Sequence, residues 1–209
     1  MKIRTFTPDD YPALVAIHNS QNIVWPERPR TPEAWAEADR NRSPKSKHQR
    51  WVAVEDGTVV GFASYDQSPW SYPPQSFYVN VEVFPEYQRR GIGSALYDQL
   101  MEGLQEFNPP ALRADAFTNL PHRFTFLQKR GFYEAFRETP VHLEVASFDA
   151  SPYTELEPNL NSQGIFIKTV TELKPDPNRD RKIYELMCTV DEDVPHEGDQ
   201  ITEPDFDDW

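Results

Sequence analysis

The sequence predicts a mixed α/β (α+β) protein with a mostly antiparallel central sheet flanked by helices, and three observations predict it. Strand patterns outnumber helical ones. A two-residue Asp56-Gly57 turn joins two runs of β-branched residues, the signature of an antiparallel hairpin. One apolar strand also passes through a glycine-rich turn directly into an amphipathic helix, which brings a helical layer against the sheet.

Each element follows in order. KIRTF (2–6) alternates as a short strand, and TPDD then starts a helix carrying Tyr11, Leu14, Val15 and His18 at helical spacing. Residues 22–46 are rich in Pro, Arg and Trp, with a short helix in TPEAWAEADR that begins at Thr31 and has Pro32 in its first turn. WVAVE and TVVGFASY form the hairpin. SPWSYPPQS (68–76) is a proline-rich loop, and FYVNVEVF alternates as the next strand. The following helix sets Leu96, Leu100, Leu104 and Phe107 on one stripe and stops at Asn108-Pro109-Pro110. ALRADAF reads as a strand, LPHRFTFLQKR as a helix ended by Gly131, and Tyr133 to Phe148 as a final strand pair.

At 209 residues the chain holds one generous domain, or one and part of another. No apolar run reaches the roughly 18 residues of a spanning helix, and MKIRTFTPDD lacks the apolar stretch of an export signal. The single cysteine, Cys188, excludes an internal disulfide and suits a reducing cytoplasm. A net charge of −13 excludes a phosphate-neutralising nucleic-acid face and leaves basic small molecules as partners. The charge is uneven: residues 172–209 carry 13 acids and 4 bases, and residues 1–171 carry 21 and 17.

The turn at 88–93 carries the chemistry. Amides at a helix N-terminus have no intrahelical acceptors, and the helix dipole favours negative charge there, so such a turn holds an anion, most naturally phosphate. Gly91 and Gly93 allow close backbone approach, and Arg89 or Arg90 adds charge at the rim. A P-loop is excluded because no Gly-Lys-Ser/Thr occurs, and a dinucleotide fingerprint because Leu96 stands where its third glycine belongs. What remains is Gln88-Arg89-Arg90-Gly91-Ile92-Gly93, directly after a strand ending Val83-Phe84-Pro85-Glu86.

With this loop the chain resembles the GNAT family, the GCN5-related N-acetyltransferases. The resemblance runs from Lys2 to about Phe148. It includes the hairpin, the V-x-P-x-x-Q-R-R-G-I-G-S-A-L block, Asn119 after a strand, and F-L-x-K-R-G-F from Phe126 to Phe132. It implies the GNAT fold over residues 1–150 and acetyl-coenzyme A as co-substrate, with no metal. By it, the amides of Arg89, Arg90, Gly91, Ile92, Gly93, Ser94 and Ala95, after Gln88, hold the pyrophosphate. The backbone near Val83 pairs with the pantetheine arm, Asn119 hydrogen-bonds that arm, and Phe124 or Phe126 packs beside it. The implied activity is N-acetyl transfer to an amine of a small molecule or a protein. The alternative is a non-catalytic acyl-CoA-binding module supporting an active second domain.

Two departures from the family pattern touch the catalytic step. Many members carry a glutamate base on the strand before the turn and a tyrosine acid four residues before the Gly of Gly-Phe. The strand face concerned is Phe77, Val79, Val81 and Val83 here, with Glu82 on the opposite face by alternation, and the tyrosine position is Leu127. Glu82 and Asp115 are therefore the candidate bases, acting through water, and Tyr97 or Tyr133 the candidate acid. His122 lies near the motifs but has no metal-ligand spacing around it. Trp25, Trp35, Trp70, Tyr72 and Tyr78 are candidates to line the acceptor site, where the acidic balance favours a cation.

Residues 151–163 read as a polar linker. GIFIKTVTEL and RDRKIYELMCTV then read as strand and helix, and their order, followed by Asp193-Val194-Pro195 and TEPDFDDW, echoes the start of the chain. Residues 164–209 are thus either the beginning of a second, truncated GNAT-like domain or an acidic C-terminal extension, with a second domain or a homodimer as possible partners.

Overall fold

The hairpin at Asp56-Gly57 organises the sheet. Both residues take positive φ, 49° and 82°, as a twist-matched two-residue turn requires. The computed structural model describes residues 1–21, 28–67, 76–139, 141–193 and 206–208. The chain divides into two units, the first built on Met1–Tyr133 and the second on Glu134–Glu197.

In the first unit five strands, β1 (Lys2–Thr5), β2 (His48–Glu55), β3 (Thr58–Gln67), β4 (Ser76–Val83) and β5 (Ala111–Arg113), lie in sequence order across one sheet. The first three pairings are antiparallel, and β4 with β5 is parallel. That last pairing spans only Ser76–Tyr78 against Ala111–Arg113. Beyond Tyr78, β4 runs on to Val83 with β3 on one side and no strand on the other among the described residues.

Helix α1 (Tyr11–Asn19) and helix α2 (Pro32–Arg40) cover one face of the sheet, and helix α3 (Ile92–Leu104) the other. Thr31 caps α2 by accepting from the Ala34 amide at 3.2 Å, with Pro32 at the first helical position. The stripe Leu96, Leu100 and Leu104 is fully buried against Phe77, Val79 and Val83 of β4, and Phe107 packs at its edge. On the opposite face Leu14, Ile17 and Trp35 bury Val52 and Phe62. The period-2 alternation of β4 thus sends Phe77, Val79 and Val83 to α3, and Tyr78, Asn80 and Glu82 to the side of α1 and α2. Helix α4 (Pro121–Gln128) ends as expected at Gly131, whose φ is 88°.

Residues 133–148 differ from expectation. In place of a strand pair, residues 133–139 and 141–148 are irregular chain with one 3-10 turn at Val145–Ser147. The alternation of Val141, Leu143 and Val145 has strand periodicity, but all three are exposed, and a strand exists only where a ladder partner takes its amides and carbonyls. In the second unit the expected linker holds helix α5 (Leu156–Ser162), and residues 164–173 are turns and irregular chain where a strand was expected. Helix α6 (Arg179–Asp193) forms as expected and carries Cys188, half-buried and unpaired with any other cysteine. No helix among the described residues is long and apolar enough to cross a membrane.

Candidate functional site

The loop between β4 and α3 is conformationally unusual in a useful way. Gly91 is the N-cap of α3 in the left-handed region, φ 85°, and no side chain caps the helix. The first intrahelical bond, Ala95 amide to Gly91 carbonyl, is 3.0 Å, so the amides of Ile92, Gly93 and Ser94 precede any intrahelical acceptor. Arg89 also holds a positive φ of 63°, a strain that costs an L-residue about 1 kcal/mol or more. The two arginines differ. Arg90 is turned back onto the Glu86 carbonyl at 3.0 Å and reaches Glu55 at 3.4 Å, while Arg89 has no side-chain partner among the described residues. Gln88 bonds the Val83 carbonyl at 3.0 Å.

One wall beside this loop comes from α4. The Phe126 ring packs beside the first turn of α3, 3.6 Å from where a Cβ on Gly93 would be, an ordinary contact distance. Arg130 stacks on Phe126, 3.6 Å from its centroid, lies over Tyr97, and donates to the Ser94 hydroxyl at 2.8 Å. Burial pushes the Tyr97 phenol above its ordinary value, against the pull of Arg130. Uncapped amides, an arginine without a side-chain partner among the described residues and an adjacent aromatic ring make this helix terminus suited to an anion. The Val83 carbonyl, an expected pairing point for that arm, already accepts two side-chain amides, from Gln88 and from Gln21 at 3.2 Å.

On the opposite face Glu82 is only 3% exposed. Its Oε1 lies 3.1 Å from His18 Nδ1 and accepts from Asn80 Nδ2 at 3.0 Å. Its Oε2 is buried without a hydrogen-bond partner among the described residues, with Arg123 Nη2 3.7 Å away. Burial by itself would raise the carboxyl pKa, but the hydrogen bond and charge of His18, the Asn80 amide and Arg123 together hold it below the ordinary glutamate range. Glu82 is therefore an ionised carboxylate inside the fold.

His18 and Asn80 also line a cavity of about 410 Å³, together with Arg30, Trp35 and Tyr78. Also on its lining, Asp39 is gripped by Arg50 and Tyr11, and Arg42 bridges Asp39 and Asp66. Both carboxylates thus face cations already, so the chain's overall acidity is not expressed as a free negative charge here.

The structure places Val83, Gln88 to Ala95 and Phe126 next to one another. Asn119 and Asp115 lie on the exposed stretch after β5, and neither has a bonding partner among the described residues. Phe124 and Tyr133 are exposed, Tyr133 to 84%, and His122 is exposed at the start of α4. Trp35, part of the core, and Tyr78 both line the cavity, and Trp25, Trp70 and Tyr72 lie outside the described residues. Sequence reasoning missed His18, Gln21 and Arg130. For His18 a signal existed: it shares a stripe with Leu14 and Val15, and a polar ring on a buried stripe needs a partner. No cluster of metal-ligating side chains occurs among the described residues.

Known proteins are similar to this chain in sequence and in fold. The profile of the acetyltransferase (GNAT) family matches residues 13–132. The uncharacterized N-acetyltransferase YafP of Escherichia coli strain K12 is 32% identical over 116 residues, 53% of this chain and 72% of that protein. Among solved structures, a ribosomal-protein-alanine N-acetyltransferase from Brucella melitensis matches with a TM-score of 0.55 at 29% identity, over 63% of this chain and 83% of that one. An N-acetyltransferase from Staphylococcus aureus Mu50 matches with a TM-score of 0.52 at 24% identity, over 63% and 82%, a likeness of fold.

Proposed function

This chain belongs to the GNAT acetyltransferase family, and from that premise we propose that it moves an acetyl group from acetyl-coenzyme A to an amine of a small molecule or a protein. The observation that carries the reading is the uncapped, left-handed entry to α3 directly beside the length of β4 that β5 leaves unpaired. An extended arm can lie along such an edge while its phosphates meet the amides of Ile92, Gly93 and Ser94.

In this reading Arg89 supplies the charge at the rim, and Arg90 holds the loop by its bonds to Glu86 and Glu55. Phe126 and Arg130 brace the first turn of α3 through Gly93 and Ser94. Acetyl-coenzyme A supplies the activated thioester. The protein's part is to fix the acceptor, shield the site from water and receive a proton from the amine. Glu82, ionised and buried beside the cavity, is the carboxylate that organises the acceptor side.

The test is amine-dependent release of coenzyme A thiol, followed over a panel that contains amino acids, polyamines and short peptides. One relative is named for a ribosomal-protein alanine, so a peptide beginning with alanine belongs in the panel. Release that rises with one amine, with the acetylated product found by mass spectrometry, supports the reading. A protein that binds acetyl-coenzyme A and releases thiol with none of them refutes the transferase assignment.

A further inference from the structure

We infer that His18 is the base that receives the amine's proton, and that Glu82 acts through it as a positioning residue. The inference rests on the acetyltransferase reading above and adds a residue to it. A carboxylate oxygen only accepts, so the 3.1 Å contact with Glu82 Oε1 keeps a proton on Nδ1 of His18 in the neutral ring and in the imidazolium alike. A neutral ring protonated at Nδ1 has its lone pair at Nε2. The His18 ring lines the 410 Å³ cavity and has no other hydrogen-bond partner among the described residues.

Three further contacts fix the pair. Asn80 donates to the same carboxylate oxygen, which pins Glu82 two residues along β4. Trp35 meets the imidazole edge-to-face with centroids 5.6 Å apart, which restrains the ring plane. Arg123 stands 3.7 Å from the second carboxylate oxygen and favours its ionised form. The result is a buried acid, an oriented imidazole and an open cavity in series, the arrangement by which a carboxylate selects a tautomer and supports the imidazolium that forms.

The balance of the step is simple. The amine nitrogen's lone pair forms the C–N bond to the thioester carbonyl carbon, and the proton the nitrogen loses ends on Nε2. The C–S bond breaks with its electron pair on sulfur. The imidazolium's proton neutralises that thiolate directly or through solvent, and His18 returns to its starting form.

The experiment compares His18→Ala, His18→Gln and Glu82→Gln with the native chain. It measures acetyl-coenzyme A affinity, melting temperature, kcat and KM for the best amine, and the response to added imidazole. General-base loss predicts a fall in kcat of about 10²–10⁴-fold for both His18 variants, with acetyl-coenzyme A affinity retained. Imidazole restores turnover to His18→Ala, whose truncation opens onto the cavity, and does not restore it to Glu82→Gln, in which the ring remains but has lost its acceptor carboxylate. Glu82→Gln lowers kcat with little change in KM. A folded His18→Ala protein that binds acetyl-coenzyme A and keeps native kcat, or one whose lost activity imidazole leaves unchanged, overturns the assignment while the transferase reading stands. A native chain that does not bind acetyl-coenzyme A overturns both.

Discussion

Replacing Gly91 separates the cost of its backbone from the role of its position. Gly91 holds φ 85° with nothing within 4 Å of the place a Cβ would take. Alanine there pays only for the left-handed backbone, about 1–2 kcal/mol. At roughly 2–4 °C per kcal/mol for a chain of this size, Gly91→Ala should melt about 2–8 °C lower. Glutamate meets the same open space and pays the same backbone cost, so its melting temperature should match that of alanine. It differs by one negative charge beside the uncapped amides of α3. At about 5 Å from a bound phosphate charge, that repulsion is about 1 kcal/mol in water and about 3 kcal/mol at an effective dielectric constant near 20. Gly91→Glu should therefore bind acetyl-coenzyme A about 5–150-fold more weakly than Gly91→Ala, at about 1.4 kcal/mol per tenfold. Calorimetric titration with parallel thermal melts reads both quantities. Equal affinity in the two variants would refute an anion seat at this helix terminus.

Three further outcomes follow from other residues. Arg89→Gln should weaken acetyl-coenzyme A binding more than Arg90→Gln in the same titration, because Arg90 is already committed to Glu86 and Glu55. Gly103→Ala would set a Cβ 2.5 Å from the Trp51 ring, and overpacking of this kind costs about 1–3 kcal/mol, so melting should fall with acetyl-coenzyme A affinity unchanged. Asp10 is held below its ordinary value first by Arg4, while for Asp39, Asp66 and Glu82 the raising effect of burial is overcome by Arg50, by His48 and Arg42, and by His18 with Asn80 and Arg123. Lowered folded-state values mean stability that is complete above the unfolded carboxylate range, near pH 4, and is lost as pH falls through the lower folded values; urea midpoints across pH test this, and stability that rises on acidification would contradict it.

Local chemistry explains why much of the first unit could be read in advance. Asp56-Gly57, Thr31-Pro32 and the strand-to-glycine-turn block each specify a conformation within a few residues, and each forms. The alternation of β4 correctly separated Glu82 from Phe77, Val79 and Val83. The pairing of Glu82 with His18 spans 64 positions and depends on how α1 docks on the sheet, which no local pattern encodes. The same limit applied to residues 133–148: alternation announces a strand, but the partner that makes it one is a tertiary fact. Asp39 shows the reverse case, since a −13 chain suggested a cation site where ion pairing has already consumed the acid.

The central claim is most directly tested by titrating the ¹⁵N-labelled native chain with acetyl-coenzyme A and following its amide resonances. The account predicts binding at submillimolar concentrations, with the largest shifts at Arg89 to Ala95 and along Val79 to Val83. No binding in that range, or shifts that leave the first turn of α3 unmoved, would contradict it.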